Sequence, residues 1–339
     1  NKKIKFAVIG CGHIGLRHAE MIQRNTNSKL VALIDERSKK NLKIDKYKVP
    51  FFNTLKEFFH SKIEVDVVNI ATPNFVHSEQ ALICLENKKH VIIEKPMALT
   101  TKDAEKVIHK SLDVHKHVFT VMQNRYSPPS VWIKNIIDKN LLGKIYILQL
   151  NCFWNRDDRY YFQGSWHGKK QLDGGTLFTQ FSHFIDMIYW LFGDININNV
   201  ILKDFNHSSL TDFEDSGIVN FYLKDGGIGS INFSTSVWDR NMESSMIIIG
   251  ENGSVKIAGQ YMDTIEYCNI KNYNLPNLKD NKLDNEFNGY KGSSQNHDHV
   301  IQNVIDVLNN NKTISTNALE GLKVVDTIER IYNFEKNKT

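Results

Sequence analysis

Gly10-Cys11-Gly12-His13-Ile14-Gly15 is the stretch whose reading decides the fold. An apolar run, Ile4–Ile9, precedes it, and Leu16-Arg17-His18-Ala19-Glu20-Met21-Ile22 follows with the pattern of a helix. A second apolar run, Leu30–Ile34, ends at Asp35. Strand, glycine turn, helix, strand and acid thus fill the frame of about 30 residues that a dinucleotide-binding βαβ unit requires. Gly10 permits the tight turn, Gly12 lets the backbone approach a pyrophosphate, and Gly15 lets helix and strand pack closely. Unpaired amides at the helix start supply an anion site. Asp35 stands about 20 residues beyond the last glycine, where a carboxylate accepts hydrogen bonds from the ribose hydroxyls and repels a 2′-phosphate. Arg37 pulls the other way, since an arginine there accommodates such a phosphate. The balance favours NAD over NADP.

Outward from this unit the alternation continues. The Lys-rich stretch Ser38–Tyr47 predicts a solvated helix, and Phe51-Phe52 leads toward another over Leu55–His60. Val65–Ile70 is a continuous apolar run, the mark of a parallel strand covered on both faces. It opens into Ala71-Thr72-Pro73-Asn74-Phe75-Val76-His77, followed by a helical pattern through Leu85. His90–Ile93 reads as a strand ending at Glu94-Lys95-Pro96, Thr101–Lys110 as a helix, and Val118–Met122 as a short strand. Strands alternating with helices predict a doubly wound α/β (Rossmann) domain, whose ligands sit beyond the carboxyl ends of the strands. Thr72, Asn74, Glu94, Lys95, Gln123 and Asn124 all fall at such ends.

The second half has another character. Ile133–Leu141 reads as a helix, Ile145–Phe153 as a long strand, and Leu177–Phe192 as an apolar-periodic helix that stops near Gly193. Ile218–Leu223 and Ile228–Phe233 flank a Lys224-Asp225-Gly226-Gly227 turn, and Met246–Ile249 and Ser254–Ile257 flank Glu251-Asn252-Gly253. Two hairpins in succession predict an α+β domain with a large, mostly antiparallel sheet. If one face of that sheet stays open, a second subunit is its natural cover, so a homodimer or homotetramer is expected. The polar stretch 274–295 reads as a long loop, and His299–Leu308 and Ala318–Asn333 as closing helices. The expected domains are 1–123 and 124–339, with the last helices able to pack back on the first.

The bulk numbers narrow the function classes. A chain of 339 residues with 41% hydrophobic content suits two cores. Its formal net charge of +4 is small for this length and no charge tract suits nucleic acid. Cys11, Cys84, Cys152 and Cys268 form no C-x-x-C pair, so reduced thiols are expected and no metal. No apolar run approaches the 18 or so residues that span a bilayer. The first strand follows Lys2 and Lys3 directly, so no signal peptide is expected and the cytoplasm is the expected compartment.

Three groups carry candidate chemistry. Lys95, at a strand end opposite the glycine loop, can hydrogen-bond a substrate hydroxyl and stabilise developing oxyanion charge. Its plain alternative is a solvated lysine paired with Glu94. His183 stands one helical turn after Thr179 and nearly one before Asp186, and an imidazole is a natural base for an alcohol proton. Its alternative is a helix-lining histidine held by Asp186 for structure. Trp154, Arg156, Tyr160, Tyr161 and Trp166 cluster in a short polar connection before Asp173-Gly174-Gly175. An arginine among aromatics suits a carboxylate or phosphate beside a sugar ring, and suits a domain interface equally.

With these pieces placed, the chain resembles the Gfo/Idh/MocA oxidoreductases, the family of glucose–fructose oxidoreductase and inositol dehydrogenase. The resemblance rests on A-V-I-G-C-G-H-I-G from Ala7, A-T-P-N-x-x-H from Ala71, E-K-P-M-A at 94–98, the glycine turn with H-x-x-D at 173–186, I-I-G-E-N-G-S-V-K-I near 250 and E-G-L-K at 320–323. It implies an NAD(P)-linked oxidation or reduction of a sugar or polyol hydroxyl, with Lys95 and His183 as the catalytic pair. It implies cofactor contacts from Gly10, Gly12, His13, Ile14, Gly15, Asp35, Arg37, Thr72, Pro73, Asn74, His77, Glu94, Lys95, Gln123 and Trp166. Substrate contacts follow from Arg125, Arg156, Tyr160, Tyr161, Thr179, Gln180 and His183. Many members carry Asp where this chain has Thr179, and a hydroxyl does not polarise an imidazole as a carboxylate does. Within the family, W-x-R-x-x-x-Y-Y, W-x-G and L-D-G-G are similar to the UDP-N-acetylglucosaminuronate 3-dehydrogenases, which implies a nucleotide-sugar substrate and surface-polysaccharide synthesis. Another polyol such as an inositol, or a non-catalytic dinucleotide sensor, are the competing expectations.

Overall fold

The computed structural model describes residues 2–162, 164–278, 286–287, 290–291 and 296–336. The chain forms two compact units, one of Asn1–Gln123 with Ser294–Val325, the other of Asn124–Ser293 with Asp326–Thr339.

The first unit runs β1 (Ile4–Ile9), α1 (His13–Arg24), β2 (Ser28–Ile34), β3 (Phe51–Phe52), α2 (Leu55–His60), β4 (Val67–Ile70), α3 (His77–Glu86), β5 (His90–Ile93), α4 (Thr101–Asp113) and β6 (Val118–Thr120). Its strands are all parallel, in the order β3-β2-β1-β4-β5-β6. This is the doubly wound order, with its switch point between β1 and β4. Phe6, Ala7 and Val8, and Val67 and Val68, are all fully buried, as the uninterrupted apolar runs require. Thr54 and Thr100 cap α2 and α4 by accepting from the amides of Glu57 and Asp103.

The helix expected over Ser38–Tyr47 is replaced by two short 3₁₀ turns, Lys39–Asn41 and Asp45–Tyr47. Leu42, Ile44 and Tyr47 are buried there, and Tyr47 donates to the Leu16 carbonyl of α1 at 3.1 Å. Leu42 and Ile44, two residues apart, cannot share one helical face. Burial of the apolar residues overrides the helical preference of the lysines.

The second unit begins with α5 (Pro128–Asp138), capped by Ser127, then β7 (Ile145–Phe153) and the short α6 (Lys170–Asp173). A π-helical segment, Leu177–Phe181, leads into α7 (Ser182–Phe192). Six strands follow: β8 (Ile195–Lys203), β9 (Ser216–Leu223), β10 (Ile228–Ser234), β11 (Glu243–Gly250), β12 (Gly253–Ala258) and β13 (Thr264–Ile270). They join β7 in one sheet, ordered β13-β12-β11-β7-β10-β9-β8 and antiparallel except for β7 with β10. The hairpins β9–β10 and β11–β12 lie where the turn residues place them. The edge strands β8 and β13 carry too many polar residues to announce themselves.

One face of this sheet is core. Leu148, Leu150, Ile231, Phe233, Val219, Phe221, Met246 and Ile248 are buried, and the Phe181 ring meets that of Phe233 at 5.8 Å. The residues between them point the other way, and Ile147, Ile218, Tyr222, Ile228, Ile249 and Tyr267 stand exposed. The sheet is open-faced.

α8 (His297–Asn310) belongs to the first unit, where Asn25 donates to Gln302 at 2.7 Å. α9 (Ala318–Lys336) contributes residues up to Val325 to the first unit and the remainder to the second. The long loop expected over 274–295 falls largely outside the described residues.

Candidate active site

In the first unit the glycine loop bridges β1 and α1. A Cβ built on Gly15 would stand 1.6 Å from the Gly10 carbonyl oxygen, so position 15 admits no side chain. Gly12 differs. Its Cβ would meet nothing nearer than the Arg37 guanidinium at 4.0 Å. No protein atom demands glycine there, whereas a ligand lying against the loop would. Gly12 also caps α1 without a side-chain hydrogen bond, and a helix start of this kind favours an anion. These features fit a dinucleotide pyrophosphate.

Asp35 ends the strand beside the loop. Its carboxylate accepts from the Cys11 amide at 2.7 Å, from the Arg37 amide at 2.9 Å and from the Arg37 guanidinium at 2.9 and 2.8 Å. Burial pushes its pKa upward, but the bonds from Arg37 and Cys11 outweigh that and hold it below the usual range. The Arg37 guanidinium is thus engaged by the Asp35 carboxylate.

Beyond β4, Thr72 donates to Gln80 at 2.7 Å, Pro73 leads into a 3₁₀ turn over Asn74–Val76, and Asn74 is buried. The His77 ring is buried, with Nε2 2.7 Å from the Thr72 carbonyl and Nδ1 2.7 Å from that of Pro96. Beyond β5, Glu94 accepts from His18 at 2.9 Å and from His297 at 3.2 Å. Burial would raise its pKa, yet the two imidazole N–H groups hold it well below the ordinary value. Lys95 is half-buried next to it, and Gln123 is buried where this part of the unit ends. His13 and Ile14 occupy the first turn of α1. The sequence reading missed His297, and only its place just ahead of an apolar helix could have drawn attention to it.

In the second unit, Arg156, Tyr160 and Gln180 come together. Arg156 donates through Nε to Gln180 at 2.8 Å, and Gln180 donates to the Tyr160 hydroxyl at 2.9 Å. The Arg156 guanidinium lies 4.8 Å from the Trp154 ring centre and 5.1 Å from that of Tyr160. Its remaining bonds go to the Asn155 carbonyl at 2.6 Å and Asn241 at 3.2 Å. Trp166 stacks on His167 at 3.9 Å, while Tyr161 is buried against His207 and Phe213.

The π segment holds Thr179 and Gln180 just ahead of His183, which is buried in the first turn of α7. Thr179 donates to the carboxylate and carbonyl of Asp173, whose other carboxylate oxygen accepts from Gly168 at 2.8 Å. Asp186 receives a bidentate pair from Arg125 at 2.8 and 2.6 Å, both residues buried. Arg125, expected at the substrate, is thus anchored in the helix that carries His183.

Behind the glycine turn, Tyr332 donates to Glu214 at 2.6 Å and accepts from the Leu177 amide at 3.1 Å. Any Cβ at Gly175, where φ is +116°, would strike the Tyr332 hydroxyl at 2.4 Å. Burial pushes the Glu214 pKa up to about 7.

An NAD-binding Rossmann unit with an open-faced α+β unit defines a nicotinamide-dependent oxidoreductase. Two family models match this chain: the oxidoreductase family with NAD-binding Rossmann fold over residues 4–121, and the GFO/IDH/MocA C-terminal domain over residues 131–256. The chain belongs to the Gfo/Idh/MocA family of oxidoreductases. Among solved structures it is similar to the WlbA dehydrogenase of Bordetella pertussis, in complex with NADH and UDP-GlcNAcA. That match has a TM-score of 0.88 and 26% identity, covering 100% of this chain and 98% of the other. The WlbA dehydrogenase of Chromobacterium violaceum, in complex with the same two ligands, matches with TM-score 0.88 and 27% identity over 100% and 95%. The myo-inositol 2-dehydrogenase of Thermotoga maritima is 26% identical over 68% of each chain.

Two predictions follow from this geometry. Gly12→Ala leaves the melting temperature near that of the wild type but weakens NAD binding at least about tenfold, whereas Gly15→Ala destabilises the unit itself. Fluorescence titration with NAD and thermal melting separate the two. Glu214 has a folded pKa of about 7, above its ordinary 4.5, so the folded state holds the extra proton. Stability therefore falls as pH rises from about 4.5 to about 7 and stays lowered above that, by on the order of 3 kcal/mol. Glu214→Gln, which keeps the acceptor for Tyr332, flattens this fall in melts recorded across that range.

Proposed function

We propose that this enzyme uses NAD to oxidise a secondary hydroxyl of a pyranose, specifically the 3-hydroxyl of a UDP-linked N-acetylated uronic acid. The observation that carries this reading is Arg156. It is 9% exposed, and every hydrogen bond it makes among the described residues goes to a neutral oxygen. Among the described residues no carboxylate pairs with this guanidinium, and with Nε and Nη1 engaged by Gln180, Asn155 and Asn241, Nη2 is the nitrogen left to donate to a sugar carboxylate or a phosphate. Trp154 and Tyr160 beside it supply flat surfaces for a sugar ring. The WlbA structures, which hold UDP-GlcNAcA, support the same substrate class.

When bound, NAD supplies the hydride acceptor. In this reading His183 takes the proton of the hydroxyl as it is oxidised, and Lys95 donates a hydrogen bond to the same oxygen and stabilises its developing charge. Thr179, tied to Asp173, and Arg125, tied to Asp186, fix the helix start from which His183 projects. Gln180 and Tyr160 orient Arg156.

The reading extends to assembly and place. A second copy of the chain covers the open sheet face, giving a homodimer or homotetramer. Cys11, Cys84, Cys152 and Cys268 are unpaired thiols, which suits the cytoplasm. Among the described residues no helix is long and apolar enough to cross a membrane.

The likeness to myo-inositol 2-dehydrogenase favours a second reading, in which the substrate is a free polyol. Nicotinamide absorbance distinguishes them, recorded with NAD and either UDP-N-acetylglucosaminuronate or myo-inositol, each with and without 2-oxoglutarate. The nucleotide sugar is expected to turn over and the polyol to be inert; turnover of the polyol alone overturns the reading. Product that forms only with the oxo acid means a cofactor recycled in place. Lys95→Ala is expected to abolish turnover, by about 10³-fold or more, while NAD still binds.

A further inference from the structure

The backbone on each side of Lys95 is tied to buried histidines. On the N-terminal side, Oε1 of Glu94 accepts from His18 at 2.9 Å and from His297 at 3.2 Å, while Oε2 accepts from the Lys95 amide at 3.2 Å. On the C-terminal side, the Pro96 carbonyl lies 2.7 Å from His77 Nδ1, whose Nε2 lies 2.7 Å from the Thr72 carbonyl. All four ionisable side chains, His18, His77, Glu94 and His297, are buried. Three elements meet at one carboxylate: α1 through His18, the end of β5 through Glu94, and α8 through His297, which is 203 residues from Glu94 in sequence.

His18, Glu94 and His297 have the composition of a metal centre, with their nitrogen and oxygen atoms within 4.8 Å of one another. The hydrogen bonds give them another use. His18 gives its Nε2 proton to Glu94, and its Nδ1 accepts from Asn69 at 3.1 Å, so neither ring nitrogen keeps a lone pair for a cation. The Glu94 carboxylate, occupied by two imidazoles and the Lys95 amide, has the arrangement of a clamp.

We propose that Glu94 and His77 are positioning residues that fix where the Lys95 amine stands, and that neither is a direct ligand of the cofactor. Buried hydrogen bonds are not exchanged for water, so two such ties leave the 94–96 backbone little freedom. A displacement of about 1 Å in a reacting group costs about 10²-fold in rate. The kinetic consequence rests on the proposed function, in which Lys95 is catalytic; the positioning itself does not.

The test uses the full chain as wild type, Glu94→Gln and His77→Gln. Glu94→Gln keeps an oxygen for the two imidazoles and turns an amide against the Lys95 N–H. His77→Gln keeps a donor and loses the rigid span between the two carbonyls. NAD affinity is measured by titration, and acetic anhydride labelling of Lys95 is followed by mass spectrometry with exposed Lys102 as the internal reference. The expected result is a Lys95 labelling rate changed at least about fivefold with NAD affinity held within about threefold, and kcat lowered about 10²-fold with little change in sugar KM. Labelling left unchanged overturns the proposal, whether NAD binding is lost, which would make these residues cofactor ligands, or only the melting temperature drops. If Glu94→Gln does not fold, His297→Gln keeps the carboxylate, removes one of its imidazole donors and carries the same labelling test. Absence of turnover on the nucleotide sugar sinks the proposed function alone, because the labelling needs no substrate.

Discussion

The contact between Gly15 and the Gly10 carbonyl is the constraint on which the first unit depends. With no side chain between them, α1 starts close against the end of β1, beside the switch point of the sheet. Asp35 reaches the same loop through the Cys11 amide, so the glycine loop and the end of β2 are a single hydrogen-bonded body. The same carboxylate also occupies the Arg37 guanidinium, so an ion pair is built into that body.

The second unit solves a different problem, that of holding charge in a buried place. Asp186 and Arg125 cancel each other, and the Asp173 carboxylate is satisfied by Thr179 and the Gly168 amide. Glu214 is relieved by taking up a proton near neutrality. Arg156 alone of these is given neutral oxygens, flanked by aromatic faces. A cation left in that condition is costly to the folded chain and useful to an anionic ligand.

Much of this was legible in the sequence, and the reasons for the rest are physical. Parallel strands buried on both faces are unbroken apolar runs, so β1, β4 and β5 announce themselves, and the glycine spacing places the turn. The stretch Ser38–Tyr47 misleads because lysines report helical preference while Leu42, Ile44 and Tyr47 answer to burial. β8 and β13 lie at sheet edges, where half the residues are polar. The union of Glu94 with His18 and His297 is set by tertiary packing, and no local pattern in E-K-P discloses a partner 203 residues away. The placing of the His77 ring between the Thr72 and Pro96 carbonyls is likewise set by packing and is not written in A-T-P-N-x-x-H.

The π segment Leu177–Phe181 escapes the periodicity altogether, since Leu177–Phe192 keeps its apolar rhythm through it. A π turn is an α-helix carrying one additional residue. Each residue advances a helix by about 100°, so that single insertion sets the direction in which everything after it projects. His183 and Asp186 owe their bearing to a count of residues as much as to their chemical kind. Loss of Phe178 alone would keep every side chain named above and still swing the imidazole about a quarter-turn away, so the length of the helix, as well as its composition, sets where position 183 points.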